Sequence, residues 1–427
     1  MIAVPALGSL LVQPLYVVTD TIVVGHLGTV ALGGLALATT VISTLVWVFN
    51  FLSYGTTVRV AVRRGRGDLA GAASDALQSL WLALGIGLAI ASVIGLAARF
   101  LVTVIGDDPD VIDQGVTYLR ISAIGVPFHF LMMACTGYLY GLQDTKRPFI
   151  VALAANVLNL VIELVLVFGL DLGIAGSAWG TVVAEILSAV AMLAIVVPRL
   201  RADGLHRLAV VPPVMSAVVK VGGHLVQRTG FLLAALAVAT AAASRVGVAA
   251  LAGHQIAAQT FLFLAIGTDM FKVAGQSMIG HALGAGNVGE ARNILDHLYL
   301  WAWRTGLLLT IVVIALSPVL PRLFTSDASV IDAAIPALLL LAVMQIPAAF
   351  TFVLDGALMG ANDFRNLRWQ TTLAFAVALP FFGAVRTWPR LGLPVVWLGM
   401  LAWISVRAWR NYSRVRGDAW LESATTV

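Results

Sequence analysis

Asp20, Glu163, Glu185, Asp269 and Asp355 stand in stretches that are otherwise almost wholly apolar. An ionised side chain at the centre of a membrane helix costs about 3 kcal/mol on insertion scales, so each is a functional candidate until another role accounts for it. Asp20 shares a helix face with Tyr16 and Gln13, four and seven residues before it, beside a kink expected at Pro14. A carboxylate so placed can take up and release a proton; its competing role is that of a hydrated residue near the outer end of the first span. Asn159 and Glu163 are four apart, which sets an amide beside a carboxylate on one face, a pairing suited to a proton or small cation. The competing roles are a hydrogen-bonded structural acid and an interhelical amide contact. Thr181 and Glu185 repeat the spacing, with pairing to a basic residue as the alternative for Glu185. Asp269 lies one turn from Lys272, so the two can neutralise one another. Asp355 sits in "VLDGALMG", and Arg228 in "RTGFLL" is read as snorkelling to the interface rather than as a counter-ion.

The elements that must carry these residues follow from composition. Of 427 residues, 60% are hydrophobic and 11% charged, with mean hydropathy +0.96, too little polar surface for a soluble globule of this size. Apolar runs of about 20 residues recur throughout, the length an α-helix needs to cross hydrocarbon, and they lack the alternation of a membrane β-barrel. Twelve spans are predicted, at 2–24, 33–58, 74–105, 114–141, 149–169, 175–197, 217–245, 253–283, 294–320, 332–360, 369–385 and 394–412. The first has neither a basic leader nor a cleavage site and reads as a retained helix. Met1 falls directly at its start, the pattern of a trimmed or mis-assigned beginning.

Even-numbered connections carry Arg59, Arg63, Arg64 and Arg66, then Lys146 and Arg147, then Arg199, Arg201 and Arg207, then Arg292, then Arg365 and Arg368. The tail adds Arg407, Arg410, Arg414 and Arg416, whereas odd-numbered connections hold mainly Arg245, Arg322, Arg386 and Arg390 beside the acidic "GDDPD" at 106–110. This bias predicts a multi-pass plasma-membrane protein with both termini cytosolic. It also accounts for the pI of about 9.6 without a nucleic-acid partner. The single cysteine, Cys135, offers no disulfide or Cys-based metal site.

"VID" occurs at 111–113 and again at 330–332, an offset of 219 residues. The same offset carries Gly65, Gly67 and Ala72 onto Gly284, Gly286 and Ala291, and Gly141 with Asp144 onto Gly360 with Asp363. Repetition at constant offset indicates a duplicated six-helix unit, and six spans between equivalent positions make the copies parallel. The expected division is an N-terminal bundle at 1–200, a cytosolic linker at 201–216 and a C-terminal bundle at 217–427. The polar residues are unequally shared, since the offset maps Asp20, Asn159 and Glu163 onto Ala239, Ala378 and Phe382.

The strings "VVTDTIVVGHLG", "GYLYGLQDTKRP", "ANVLNLVIELVLVFGLDLGIAGSAWGTVVAEI", "GHALGAGN" and "VLDGALMGAND" resemble the multidrug and toxic compound extrusion (MATE) family, within it the DinF-like branch, in order across all twelve predicted spans. The resemblance implies an all-α integral membrane protein of twelve transmembrane helices, in two six-helix bundles forming a V. It implies export of small, mostly cationic amphipathic compounds by antiport against H+ or Na+, without a cofactor. It carries Asp20, Tyr118, Asn159, Glu163 and Thr181 over as one polar cluster of the N-terminal bundle, with Na+ possible at Asp20, Asn159, Glu163 and Thr181. Relatives commonly have Asp where Glu163 stands, and often a second acid where Gln276 stands; Asp355 matches the tenth-span pattern of the family.

Other features point to no separate chemistry. "RRGRGD" at 63–68 and "GAGN" at 284–287 occupy equivalent turns, and no GxxxxGK[ST] occurs to bind ATP. His26, His254 and His281 lack metal-ligand spacing. Pro127, Pro336 and Pro347 lie inside spans and are expected to bend them. The protein is expected to be a monomeric exporter in contact with lipid, not an enzyme. Its rivals are a lipid-linked precursor flippase, which calls for several intramembrane bases, and a membrane-embedded enzyme or receptor, for which no catalytic set assembles.

Overall fold

The computed structural model describes residues 7–8, 17–205, 208–417 and 420–421; Gln13, Pro14, Tyr16 and Arg207 lie outside them. The described residues form helices and connections without a strand. Two compact units divide the chain at Met1–Gly222 and Gly223–Val427.

The first unit contains α1 (described over 17–25), α2 (Thr29–Phe49), α3 (Phe51–Gly65), α4 (Leu69–Thr103), α5 (Pro109–Ala123), α6 (Val126–Gly141), α7 (Lys146–Leu164) and α8 (Gly173–Ala202). The unit boundary falls within α9 (Pro212–Val246), and the second unit continues through α10 (Val248–Gly284), α11 (Val288–Leu316), the short α12 (Leu320–Phe324), α13 (Ala328–Gly360), α14 (Phe364–Thr387) and α15 (Gly392–Arg416). The stretch 201–216, expected as a linker, includes the end of α8 and the start of α9.

The 219-residue offset recurs in the helix boundaries. The starts of α2, α4, α5 and α8 each lie 219 residues before those of α10, α11, α13 and α15. The offset also pairs the devices that end and start helices. Asp68 caps α4 by accepting from Gly71 N, as Asn287 caps α11 by accepting from Glu290 N; Asp108 and Asp327 cap α5 and α13 alike. Gly173 and Gly392, with φ of 55° and 71°, start α8 and α15 from backbone conformations that a Cβ disfavours.

Among the described residues nine helices are long and apolar enough to cross a membrane, or ten when the bent pair α5 and α6 counts as one span. The other two expected spans correspond to α1, described only in its last part, and to the 24-residue α14, whose first two turns carry Arg365, Asn366, Arg368 and Gln370. The fourth span bends by 51° between α5 and α6, just before Pro127, as its proline leads one to expect. Pro336 and Pro347, by contrast, lie inside α13, which continues through both.

Three basic positions differ from the sequence reading. Arg59, expected in a loop, lies within α3 and is buried, its Nη2 2.7 Å from Asp75 Oδ1 on α4. Arg63 Nε meets the other Asp75 oxygen at 2.6 Å. Arg407, expected in the tail, and Arg228, expected to snorkel, are both 5% exposed and pair with Asp355. In each case a buried carboxylate on a neighbouring helix holds the arginine inside, because an ion pair with further hydrogen bonds offsets the cost of desolvation.

Candidate ion-coupling site

Four helices of the first unit bring the sequence candidates together. Asp20 comes from α1, Tyr118 from α5, Asn159 and Glu163 from α7, and Thr181 from α8. All are buried: Asn159 and Glu163 fully, Asp20 and Tyr118 to 2% exposure. The Tyr118 hydroxyl donates to Asp20 Oδ2 at 3.1 Å, and Thr181 lies within its reach. Thr181 Oγ1 also donates to the Ser177 carbonyl oxygen one turn back, at 3.2 Å. Glu163 has Ser177 and Asp20 close enough to interact, yet neither of its oxygens makes a hydrogen bond of ordinary geometry among the described residues, nor does either polar atom of the Asn159 side chain. Enclosed polar atoms left this way are costly unless a ligand or proton engages them.

Small residues allow this arrangement. A Cβ on Gly180 would lie 3.2 Å from the Glu163 Cα and Cβ, and one on Gly176 would lie 2.9 Å from the Leu166 carbonyl carbon. The two glycines, four apart, let the backbone of α8 meet that of α7 beside the carboxylate. Immediately beyond Glu163 the helix widens over Val165–Gly169 into a π turn, closed by Leu170 N donating to Val165 O at 2.9 Å. Such turns recur at functional sites in helices.

Glu185 lies one turn beyond Thr181 on α8, its Oε1 3.2 Å from His129 Nδ1. Ile42, Val46, Ser122 and Phe130 line a small pocket with Thr181, His129 and Glu185. Ser177 and His129 were missed from sequence. The first had a signal, since "GSAWGT" places Ser177 inside a small-xxx-small seam; the second had none, its partner being remote in sequence.

In the second unit the equivalents of Asp20, Tyr118, Asn159, Glu163, Ser177 and Thr181 are Ala239, Ala337, Ala378, Phe382, Val396 and Met400, all members of one buried apolar core. Its acids lie elsewhere. Asp355 is held by Arg228, by Arg407 at 2.8 Å and by Asn411, whose Nδ2 donates to Oδ1 at 2.7 Å. Asp269 pairs with Lys272. His254 hydrogen-bonds Thr240 at 3.1 Å, and His26 meets the Ile22 carbonyl oxygen. No three His, Cys, Asp or Glu side chains gather as a metal-binding group among the described residues. The donors around Glu163 are instead hard oxygens: carboxylate, amide and hydroxyl.

A duplicated helical membrane unit with an enclosed polar cluster in one copy is the arrangement on which many transporter folds are built. The chain matches the MatE family model over residues 5–165 and again over 231–381, and it belongs to that family. It is therefore a multi-pass membrane transporter of small molecules, not an enzyme, and needs no cofactor. Protein DETOXIFICATION 44, chloroplastic, of Arabidopsis thaliana is 29% identical to it, over 97% of this chain and 81% of the relative. DNA damage-inducible protein F of Escherichia coli (strain K12) is 26% identical over 97% and 92%. A MATE crystal structure in the bent conformation matches with a TM-score of 0.91 at 21% identity, covering 100% of this chain and 96% of that one. A MOP superfamily transporter from Pyrococcus furiosus matches at 0.88 and 20% identity, over the same shares. At these identities the structural matches show the shared fold.

Proposed function

We propose that this protein exports small, mostly cationic amphipathic organic compounds across the plasma membrane by antiport with H+ or Na+, and that it belongs to the DinF-like branch of its family. One observation carries the reading. The enclosed cluster of Asp20, Tyr118, Asn159, Glu163 and Thr181 in the first unit is replaced, position for position, by buried apolar residues in the second. Polar groups that the duplicated fold does without are present for chemistry rather than for folding.

Asp20 and Glu163 take up the coupling ion, with Asn159 and Thr181 completing an oxygen set that suits either ion and Tyr118 orienting Asp20. Ion uptake from the outside rearranges the helices of the first unit and lowers its affinity for the exported compound; ion loss inside restores it. Glu185 and His129, which line a pocket with Thr181, offer a polar contact for the compound's charged end. Asp355 and Asp269 hold the second unit together through their basic partners. The similarity to a probable multidrug resistance protein, NorM of Thermotoga maritima, at 24% identity over 95% of this chain, supports the substrate class. The Lys/Arg bias supports cytosolic termini, and the self-contained cluster supports a monomer surrounded by lipid.

The test is drug-stimulated ion flux in proteoliposomes, under H+ and Na+ gradients separately, for the wild type, Asp20→Asn and Glu163→Gln. Loss of coupling in both variants is expected, and the gradient that drives export names the ion. Full coupling retained in both would overturn the reading.

A further inference from the structure

The end of the first unit opposite the "GDDPD" connection contains a cavity of about 570 Å³ between the end of α3, the α6–α7 connection and the end of α8. Arg64, Lys146, Arg147 and Arg199 line it, against the carboxylates Asp144 and Asp203. Four positive charges against two negative leave an excess of two. Arg147 and Arg199 share Asp144, the latter at 3.2 Å. Arg64 Nη1 meets Asp203 Oδ1 at 3.2 Å, and the Tyr138 hydroxyl donates to its other oxygen at 3.1 Å. Lys146 is exposed and makes no ion pair among the described residues. It is also the first residue of α7, so the helix N-terminus adds its partial positive charge. Burial works against ionisation of Asp144, but hydrogen bonds from Arg147 and Arg199 hold its carboxyl below the usual range, so its negative charge holds at neutral pH.

The duplicated copy acts as an internal comparison. There Asp363 matches Asp144 and pairs with Arg414 at 2.7 Å, but Leu283 stands for Arg64 and Asn366 for Arg147, while Arg365 matches Lys146. Left-handed Gln143 and Asn362, both at φ 61°, show that the two connections turn alike. The turn thus forms without the extra arginines. Their forks suit a tetrahedral oxyanion, which accepts paired N–H bonds from guanidinium groups. Basic cavities between membrane helices on the cytosolic side are placed to take acidic headgroups.

We propose that this cavity binds a phosphate-bearing anion, either the headgroup of an acidic phospholipid or a soluble phosphate ester. The site is separate from the Asp20 cluster and independent of the ion-coupling mechanism.

The test measures binding to the full-length protein in neutral detergent, using dioctanoyl phosphatidic acid, dioctanoyl phosphatidylcholine and glycerol 3-phosphate. Saturable binding of phosphatidic acid and none of phosphatidylcholine is expected. Lys146→Ala should weaken it about fivefold, and Lys146→Glu further. Asp203→Asn, which removes one negative charge, should tighten it, and Arg365→Ala in the other copy should leave it unchanged. Competition by glycerol 3-phosphate at equal concentration supports the site with a soluble ester as its ligand; absence of competition supports it with a lipid headgroup. Equal binding of both lipids, or phosphatidic acid binding to Lys146→Glu as to wild type, would overturn the proposal.

Discussion

The Tyr118 hydroxyl donates a hydrogen bond to Asp20 Oδ2 at 3.1 Å, joining α5 to α1 across 98 residues of sequence. A hydrogen bond to a charged partner contributes about 1.5–3 kcal/mol. Tyr118→Phe should therefore reduce ion-coupled export while preserving the fold. If the tyrosine acts through Asp20, adding Tyr118→Phe to Asp20→Asn should cost little more than Asp20→Asn alone. Because Asp20→Asn alone is expected to lose coupling, the variants are compared by melting temperature, where additive losses would show that the tyrosine works independently.

Gly180 touches the backbone of Glu163, so side chains there act on the site through packing. Gly180→Leu should force α7 and α8 apart and destabilise the protein by about 1–3 kcal/mol, with ion coupling lost before the fold. Gly95, which has nothing within 4 Å of a built Cβ, is the control: Gly95→Ala should leave the melting temperature unchanged or raise it. Equal thermal shifts for the two variants would contradict close packing at Glu163.

Asp355 bridges Arg228 and Arg407. Asp355→Ala strands two buried guanidinium groups and should destabilise the second unit by about 3–5 kcal/mol. Arg228→Gln should cost less, because Arg407 and Asn411 still hold the carboxylate. Thermal unfolding in detergent checks both. A stable Asp355→Asn protein lacking only coupling would assign Asp355 to transport instead.

The depressed carboxyl of Asp144 has a consequence in acid. A group whose folded pKa lies below its unfolded value, about 3.9 for Asp, stabilises the fold above that value, and this stabilisation is lost as pH falls through the folded pKa. The melting temperature of the wild type should therefore drop below about pH 4, and Asp144→Asn should be less stable at neutral pH with a shallower acid decline. An unchanged acid profile in Asp144→Asn would remove Asp144 from the account.

Much of the site was legible because helical spacing is a local rule. Asn159 and Glu163 had to share a face whatever surrounded them, and the constant offset showed which acids the second copy lacks. Arg407 and Asn411 also lie four apart, a readable signal, but their carboxylate stands 52 and 56 residues earlier. Arg228 and Arg59 looked like interfacial or loop cations because composition cannot show that Asp355 and Asp75 reach them. His129 had no local signal, since the carboxylate it meets, Glu185, stands on another helix.

By itself the sequence determined the membrane class, the duplication and the unequal distribution of buried carboxylates. These depend on hydrophobic run length, periodicity and offset, properties of neighbouring or regularly spaced residues. Only the tertiary structure decided which charges neutralise one another. Helix packing alone brought Ser177 and Asp20 to Glu163, set Gly180 against its backbone, and drew Arg228 and Arg407 onto Asp355. The physical reason is that burying a charge depends on partners supplied by other helices, whose approach is set by side-chain volume and backbone geometry that spacing along one chain does not encode.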